Sequence, residues 1–162
     1  AGHTAVPSAT PIIVPADTPE PTKTPAATPT VAPSSSGSYP QEELELAAKV
    51  AYMEARGKGE DAYRAVLNVI LNRCESKKFG GGQTSISTEV YRKSQFSVVR
   101  YDSFATLTPP SEIVDYASDI FNGDNRCLPE GILFFRSDSL GTSWGSKVYY
   151  KTIGGNAFFY AG

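Results

Sequence analysis

The sequence predicts an α+β fold, a helical core followed by a small antiparallel β or extended portion in the C-terminal third. Three observations carry this. From residue 41 onward, apolar residues first recur at helical spacing. The last third instead holds short aromatic and β-branched runs separated by Gly and Ser. Before residue 41 neither pattern exists, and that segment holds nine of the twelve prolines.

Taken in order, residues 1–40 read as a Pro/Thr/Ser-rich disordered linker. They contain twelve Ser or Thr, and Thr-Pro recurs at Thr10-Pro11, Thr18-Pro19, Thr24-Pro25 and Thr28-Pro29. Such a segment buries too little apolar surface to offset the entropy of ordering it, and proline biases it toward extended polyproline II. At about 3.1 Å per residue it would reach on the order of 120 Å.

Residues 41–162 read as one domain, long enough for a single core. "QEELELAAKVAYMEAR" is the first helix, with Pro40 before it, acidic residues in its first turn and Gly57 as a stop. "EDAYRAVLNVILNRCES" is the second, with Ala62, Val66, Val69, Ile70 and Arg73 marking one face. The glycines 80–82 open a loop, and "STEVYRKSQFS" is short helical or irregular chain. "PPSEIVDYASDIFNGD" is the third clear helix, with Ser111 expected as N-cap and Gly123 as C-cap. "ILFFR", "KVYYKTI" and "AFFYAG" read as strands.

Composition excludes several classes. The domain carries 15 acidic and 14 basic residues, so no basic field points to nucleic acid and no polybasic tail to an anionic membrane. No run of 18 apolar residues exists to span a bilayer. The single histidine, His3, lies in the linker, which removes His-dependent triads and leaves no expected metal site. No phosphate loop or dinucleotide fingerprint occurs, so no cofactor is expected. A Thr-Pro spacer ahead of a compact domain suits an exported protein working at a cell wall. Cys74 and Cys127 form an even pair that fits an oxidising compartment and a disulfide; two separate thiols are the alternative.

Carboxylate chemistry survives. Glu54 continues the apolar stripe of the first helix, seven residues after Ala47 and four after Val50. A carboxyl flanked by apolar surface is held neutral and can act as a proton donor. The structural alternative is a buried ion pair of Glu54 with Arg56 or Arg73.

"VAYMEARGKGEDAYRAVLNVILNR", "SQFS" and "IGGNAFFY", in this order, resemble the SleB/CwlJ-type cell-wall hydrolases, which include the germination-specific spore cortex-lytic enzymes. The likeness covers nearly all of residues 44–160. It implies a peptidoglycan-cleaving domain with a lysozyme-like core, related to lytic transglycosylases and resuscitation-promoting factors. It also implies that Glu54 is the catalytic acid and that Gln95, Phe96 and Ser97 line the cleft. The chain departs from the family pattern at Ile153-Gly154-Gly155-Asn156-Ala157, with an extra Gly and no His.

The expected substrate is peptidoglycan glycan strands of vegetative wall or spore cortex, cleaved between N-acetylmuramic acid and N-acetylglucosamine. Lytic transglycosylation needs only one carboxyl. Hydrolysis by a muramidase or glucosaminidase route needs a second, for which Asp102, Glu89 and Asp138 are candidates. A non-catalytic peptidoglycan-binding module is the rival of another class. Trp144, set among Gly and Ser, and Tyr160 are candidate sugar-stacking residues. No peptidoglycan-binding repeat accompanies the domain, so residues 1–40 read as the connector to an upstream wall-binding domain.

Overall fold

The structure is a computed structural model that describes residues 38–79 and 81–162. The linker reading therefore falls outside the described residues up to position 37, as does Gly80 of the glycine run. Among the described residues, five helices precede a three-stranded sheet: α1 (Gln41–Glu54), α2 (Glu60–Glu75), α3 (Ile86–Val90), α4 (Asp102–Thr106), α5 (Ser111–Phe121), β1 (Ile132–Ser137), β2 (Val148–Ile153) and β3 (Asn156–Tyr160). This is the helical core and small antiparallel sheet that the sequence patterns predict.

Helices α1, α2 and α5 pack against one another, with α3 against the first two. Leu44, Ala47, Val50 and Ala51 of α1 meet Ala62, Val66 and Ile70 of α2 and Ile113, Ala117 and Ile120 of α5 in one buried cluster. The small residues let the helices approach closely. α1 stops at Glu54, two residues before its expected end, because Ala55 leaves helical geometry. The chain then turns through Gly57 and Gly59, both at positive φ.

Ser85 caps α3 by accepting the Thr88 N–H at 3.1 Å. α4 and the 3₁₀ turn Ser97–Arg100 lie where the sequence offers little periodicity. At α5 the N-cap is Pro110 rather than Ser111, with no side-chain cap, and the C-cap is Asn122 rather than Gly123. Gly123 follows it and donates its N–H to the Ser118 carbonyl at 3.1 Å. Ahead of α1, Tyr39 rests edge-on against Phe121, and its N–H donates to the Asn122 side chain of α5.

In the sheet, β3 is central and runs antiparallel to β1 on one side and β2 on the other. Ser137 lies opposite Asn156, and Arg136 opposite Ala157. A second buried cluster of Ala65, Val69, Leu128, Ile132 and Phe158 seats the sheet on α2.

Candidate active site

Glu54 is the last residue of α1 and borders a cleft of about 450 Å³. Gln95 and Ser97 line one part of it, and Phe135, Arg136, Ser137 and Asn156 line the sheet side. Lys58 and Arg73 complete the positively charged part of the lining. Glu54 is the sole carboxylate among these residues.

Two local features hold the sheet side opposite Glu54. One is a polar seam along α2. The Asn68 side-chain carbonyl accepts the backbone N–H groups of Cys127 at 2.7 Å and Leu128 at 2.9 Å, and its amide donates to Asn72 at 3.0 Å. Asn72 in turn donates to the carbonyls of Pro129 at 2.8 Å and Ile132 at 2.9 Å. Arg73 Nε donates to the Leu133 carbonyl at 2.8 Å. Three inward polar side chains of one helix thus satisfy the irregular chain that leads into β1.

The other feature is the β2–β3 turn, which sits on the α1–α2 connection. Gly154 and Gly155 both have positive φ, at +53° and +74°. A Cβ on Gly154 would lie 2.4 Å from the Ala62 Cβ and 3.3 Å from the Lys58 carbonyl, so a side chain there has no room. Gly154 is therefore what lets this turn close on the helices, with Asn156 following beside the cleft.

Burial raises the Glu54 carboxyl above its ordinary range, while Arg73 and Lys58 pull it the other way. Its place at the C-terminal end of α1 favours the neutral acid too, since the helix dipole is negative there. The ion-pair alternative is not realised. Arg56 stacks over Tyr52 at 4.7 Å, and neither it nor Arg73 pairs with Glu54 among the described residues. Arg73 instead lies over the rings of Phe96 at 4.9 Å, Phe79 at 5.2 Å and Phe134 at 5.9 Å. Burial lowers its pKa to about 10, against the opposing pull of Glu89 and Glu54.

The other candidates are distributed unequally. Gln95 and Ser97 line the cleft, but the Phe96 side chain between them turns into the core, 3% exposed, against Phe135 and Arg73. Trp144 is not a free loop side chain. It is half-buried, edge-on to Phe134 and Phe159, with Arg136 and Lys147 over its ring. Tyr160 lines a different hollow, with Asn72, Lys77 and Glu130.

Of the three candidate second carboxylates, none lines the cleft. Glu89 belongs to α3 and is fully buried; it accepts from Thr84 at 2.7 Å and pairs with Arg92 at 2.7 Å. Asp102 opens α4. Asp138 begins the 3₁₀ turn after β1 and donates its backbone N–H to the Gly155 carbonyl. Among the described residues, no group of three or more His, Cys, Asp or Glu could hold a metal ion.

The expected disulfide is not formed: Cys74 and Cys127 are free thiols. Asn68 holds the Cys127 amide, and Cys74 lies six residues further along α2. At 1.5 Å per residue that is about 9 Å of axial rise. A disulfide usually needs Cα atoms about 4.4–6.8 Å apart.

Sequence reasoning missed Lys58, Arg136 and Asn156 as cleft residues, and saw Arg73 only as a face residue and ion-pair alternative. Helical period could place Arg73 inward; the others depend on strand register and on the glycine turn, which no local pattern reveals.

The Cell Wall Hydrolase family profile matches residues 57–160, and the chain belongs to that family. Glu54 lies just before the matched span. The chain is 29% identical over 123 residues to the spore cortex-lytic enzyme of Oceanobacillus iheyensis, covering 74% of this chain and 42% of that protein's length. Its fold is similar to the catalytic domain of Bacillus cereus SleB, with a TM-score of 0.65, 27% identity, and 76% and 94% of the two chains covered. The catalytic domain of the germination-specific lytic transglycosylase SleB from Bacillus anthracis matches with a TM-score of 0.64 and 26% identity, over 76% and 98% of the two chains.

Proposed function

We propose that the domain cleaves peptidoglycan glycan strands as a lytic transglycosylase, with Glu54 as the single acid. The observation that carries this is a lone carboxyl, held toward its neutral form, in a cleft with no second carboxylate in its lining. Membership of the cell wall hydrolase family and the likeness to a lytic transglycosylase domain support the substrate and the reaction.

Neutral Glu54 donates its proton to the oxygen bridging N-acetylmuramic acid and N-acetylglucosamine, and the C1–O bond breaks. The muramoyl C6 hydroxyl then attacks C1 of its own sugar and returns its proton to the Glu54 carboxylate. A new C1–O6 bond replaces the one broken, and no water is consumed. The attacking hydroxyl is tethered to the reacting sugar, so its effective concentration far exceeds that of a water the protein must hold. Gln95 and Ser97 supply polar contacts beside the acid.

The same reading makes the protein an exported enzyme of the cell wall or spore cortex. Residues 1–40 then act as its spacer, and residues 41–162 as its catalytic unit. Mass spectrometry of digested peptidoglycan tests the mechanism. Muramic ends lighter by one water than hydrolytic ends are expected, and Glu54→Gln should lose at least about 10²-fold in rate. A digest with only reducible ends would overturn the transglycosylase step. An active Glu54→Gln enzyme would overturn the acid.

A further inference from the structure

Among the described residues, four buried side-chain nitrogens have no hydrogen-bond partner, and three of them belong to residues of the Glu54 cleft: Arg73 Nη1, Arg136 Nε and Asn156 Nδ2. Arg73 and Asn156 are only 4% and 5% exposed. Buried donors are ordinarily paired, and a cluster of orphans in one cleft is a receptor awaiting acceptors. One other nitrogen of each guanidinium is already held. Arg73 Nε is bound to the Leu133 carbonyl, and Arg136 Nη2 reaches the carbonyls of Leu140, Gly141 and Ser143.

Charge selects the acceptor. The cleft lining holds three cations, Lys58, Arg73 and Arg136, against one carboxyl that must be neutral to act. Glu89, the buried acid facing Arg73 from α3, is taken by Arg92 and Thr84. A neutral acetamide would satisfy a donor but leave this excess of positive charge; a carboxylate answers both.

We propose that Arg73 and Asn156, flanked by Lys58 and Arg136, form a receptor for a carboxylate carried by the glycan strand, adjacent to the bond that Glu54 protonates. The proposal rests on the glycan-cleaving reading of the cleft. Peptidoglycan offers two sources of this group: the lactyl carboxylate of muramic acid once its peptide is removed, and the carboxylates of an attached stem peptide.

Calorimetric titration of the Glu54→Gln protein separates them. The probes are strands stripped of stem peptides by an amidase, strands with intact stems, and each set after carbodiimide coupling to methylamine. Stripped strands that bind at least about tenfold tighter than their methylamides support the lactyl carboxylate. A loss on amidation confined to intact strands supports the stem carboxylate. In either case Asn156→Ala and the exposed-site variant Lys58→Gln should each shrink the ratio. Affinity indifferent to amidation in both sets, or no binding of any strand, overturns the receptor. Digestion of intact peptidoglycan by the wild type is scored separately, so failure of the receptor is distinguishable from failure of the enzymatic reading.

Discussion

Glu54 holds its proton at a cost to folding. Burial favours the neutral carboxyl in the folded chain, so that chain keeps a proton at pH values where the unfolded chain has released it. Stability therefore falls as pH rises from the ordinary carboxyl value of 4.5 through the raised folded value. Glutamine is neutral throughout, so Glu54→Gln should melt at or above the wild-type temperature at neutral pH. The gap should close as pH falls below the ordinary carboxyl range. Thermal melts of both proteins across pH measure this, and a wild type more stable at neutral pH would mean that Arg73 and Lys58 outweigh burial. Ser94 offers a second residue-scale reading. It lines the cleft at φ +66°, a left-handed conformation costly for a residue with a Cβ. Ser94→Gly should stabilise by about 1 kcal/mol, read by chemical denaturation. Glu54 was legible in the sequence because a carboxylate interrupts an apolar stripe. The Ser94 conformation was not, since no local pattern around "RKSQFS" requires it.

At the scale of elements, α2 is both core helix and scaffold. Its apolar face was legible from period alone, whereas Asn68 and Asn72 look in sequence like ordinary polar breaks in that face. Both are buried, and their role appears only with the 127–133 chain in place. Asn68→Ala would leave the Cys127 and Leu128 N–H groups without their acceptor. It should destabilise by about 3 kcal/mol, seen as a lower denaturant midpoint with an unchanged slope. The β2–β3 turn makes a paired comparison. Gly154→Ala meets Ala62 at 2.4 Å, whereas Gly155→Ala meets the mobile end of the Lys58 side chain at 3.1 Å. Both suffer the positive-φ penalty, but only Gly154→Ala must push the turn off α2. It should therefore lose more stability and more activity than Gly155→Ala, and equal losses would show that the helix contact does not position Asn156. The strands themselves were visible as aromatic runs. α4 was not, because five residues present too little periodicity to register.

For the whole molecule, the patterned helices and strands predict the α+β architecture, and what they leave out is how the pieces meet. The cysteines show this. Counting them suggests a bridge tying the end of α2 to the loop after α5, worth about 4 kcal/mol by loop closure. The seam through Asn68 instead holds Cys127 a turn and a half short of Cys74 along the helix, and Cys74 is sealed in the helical core. Desolvation raises both thiols, Cys127 to about 11, so each is protonated at neutral pH; Cys74 is also buried, whereas Cys127 is exposed and protected by its raised pKa alone. Core packing and buried polar bonds must then supply the stability that a bridge would have added. Two measurements follow. Melting temperature should be the same with and without reductant. Alkylation should be slow in the native protein, slowest at Cys74, and should reach both thiols in unfolded, non-reduced protein. An intact mass that rises by two hydrogens on reduction, with a matching fall in melting temperature, would show that the seam yields and the bridge forms.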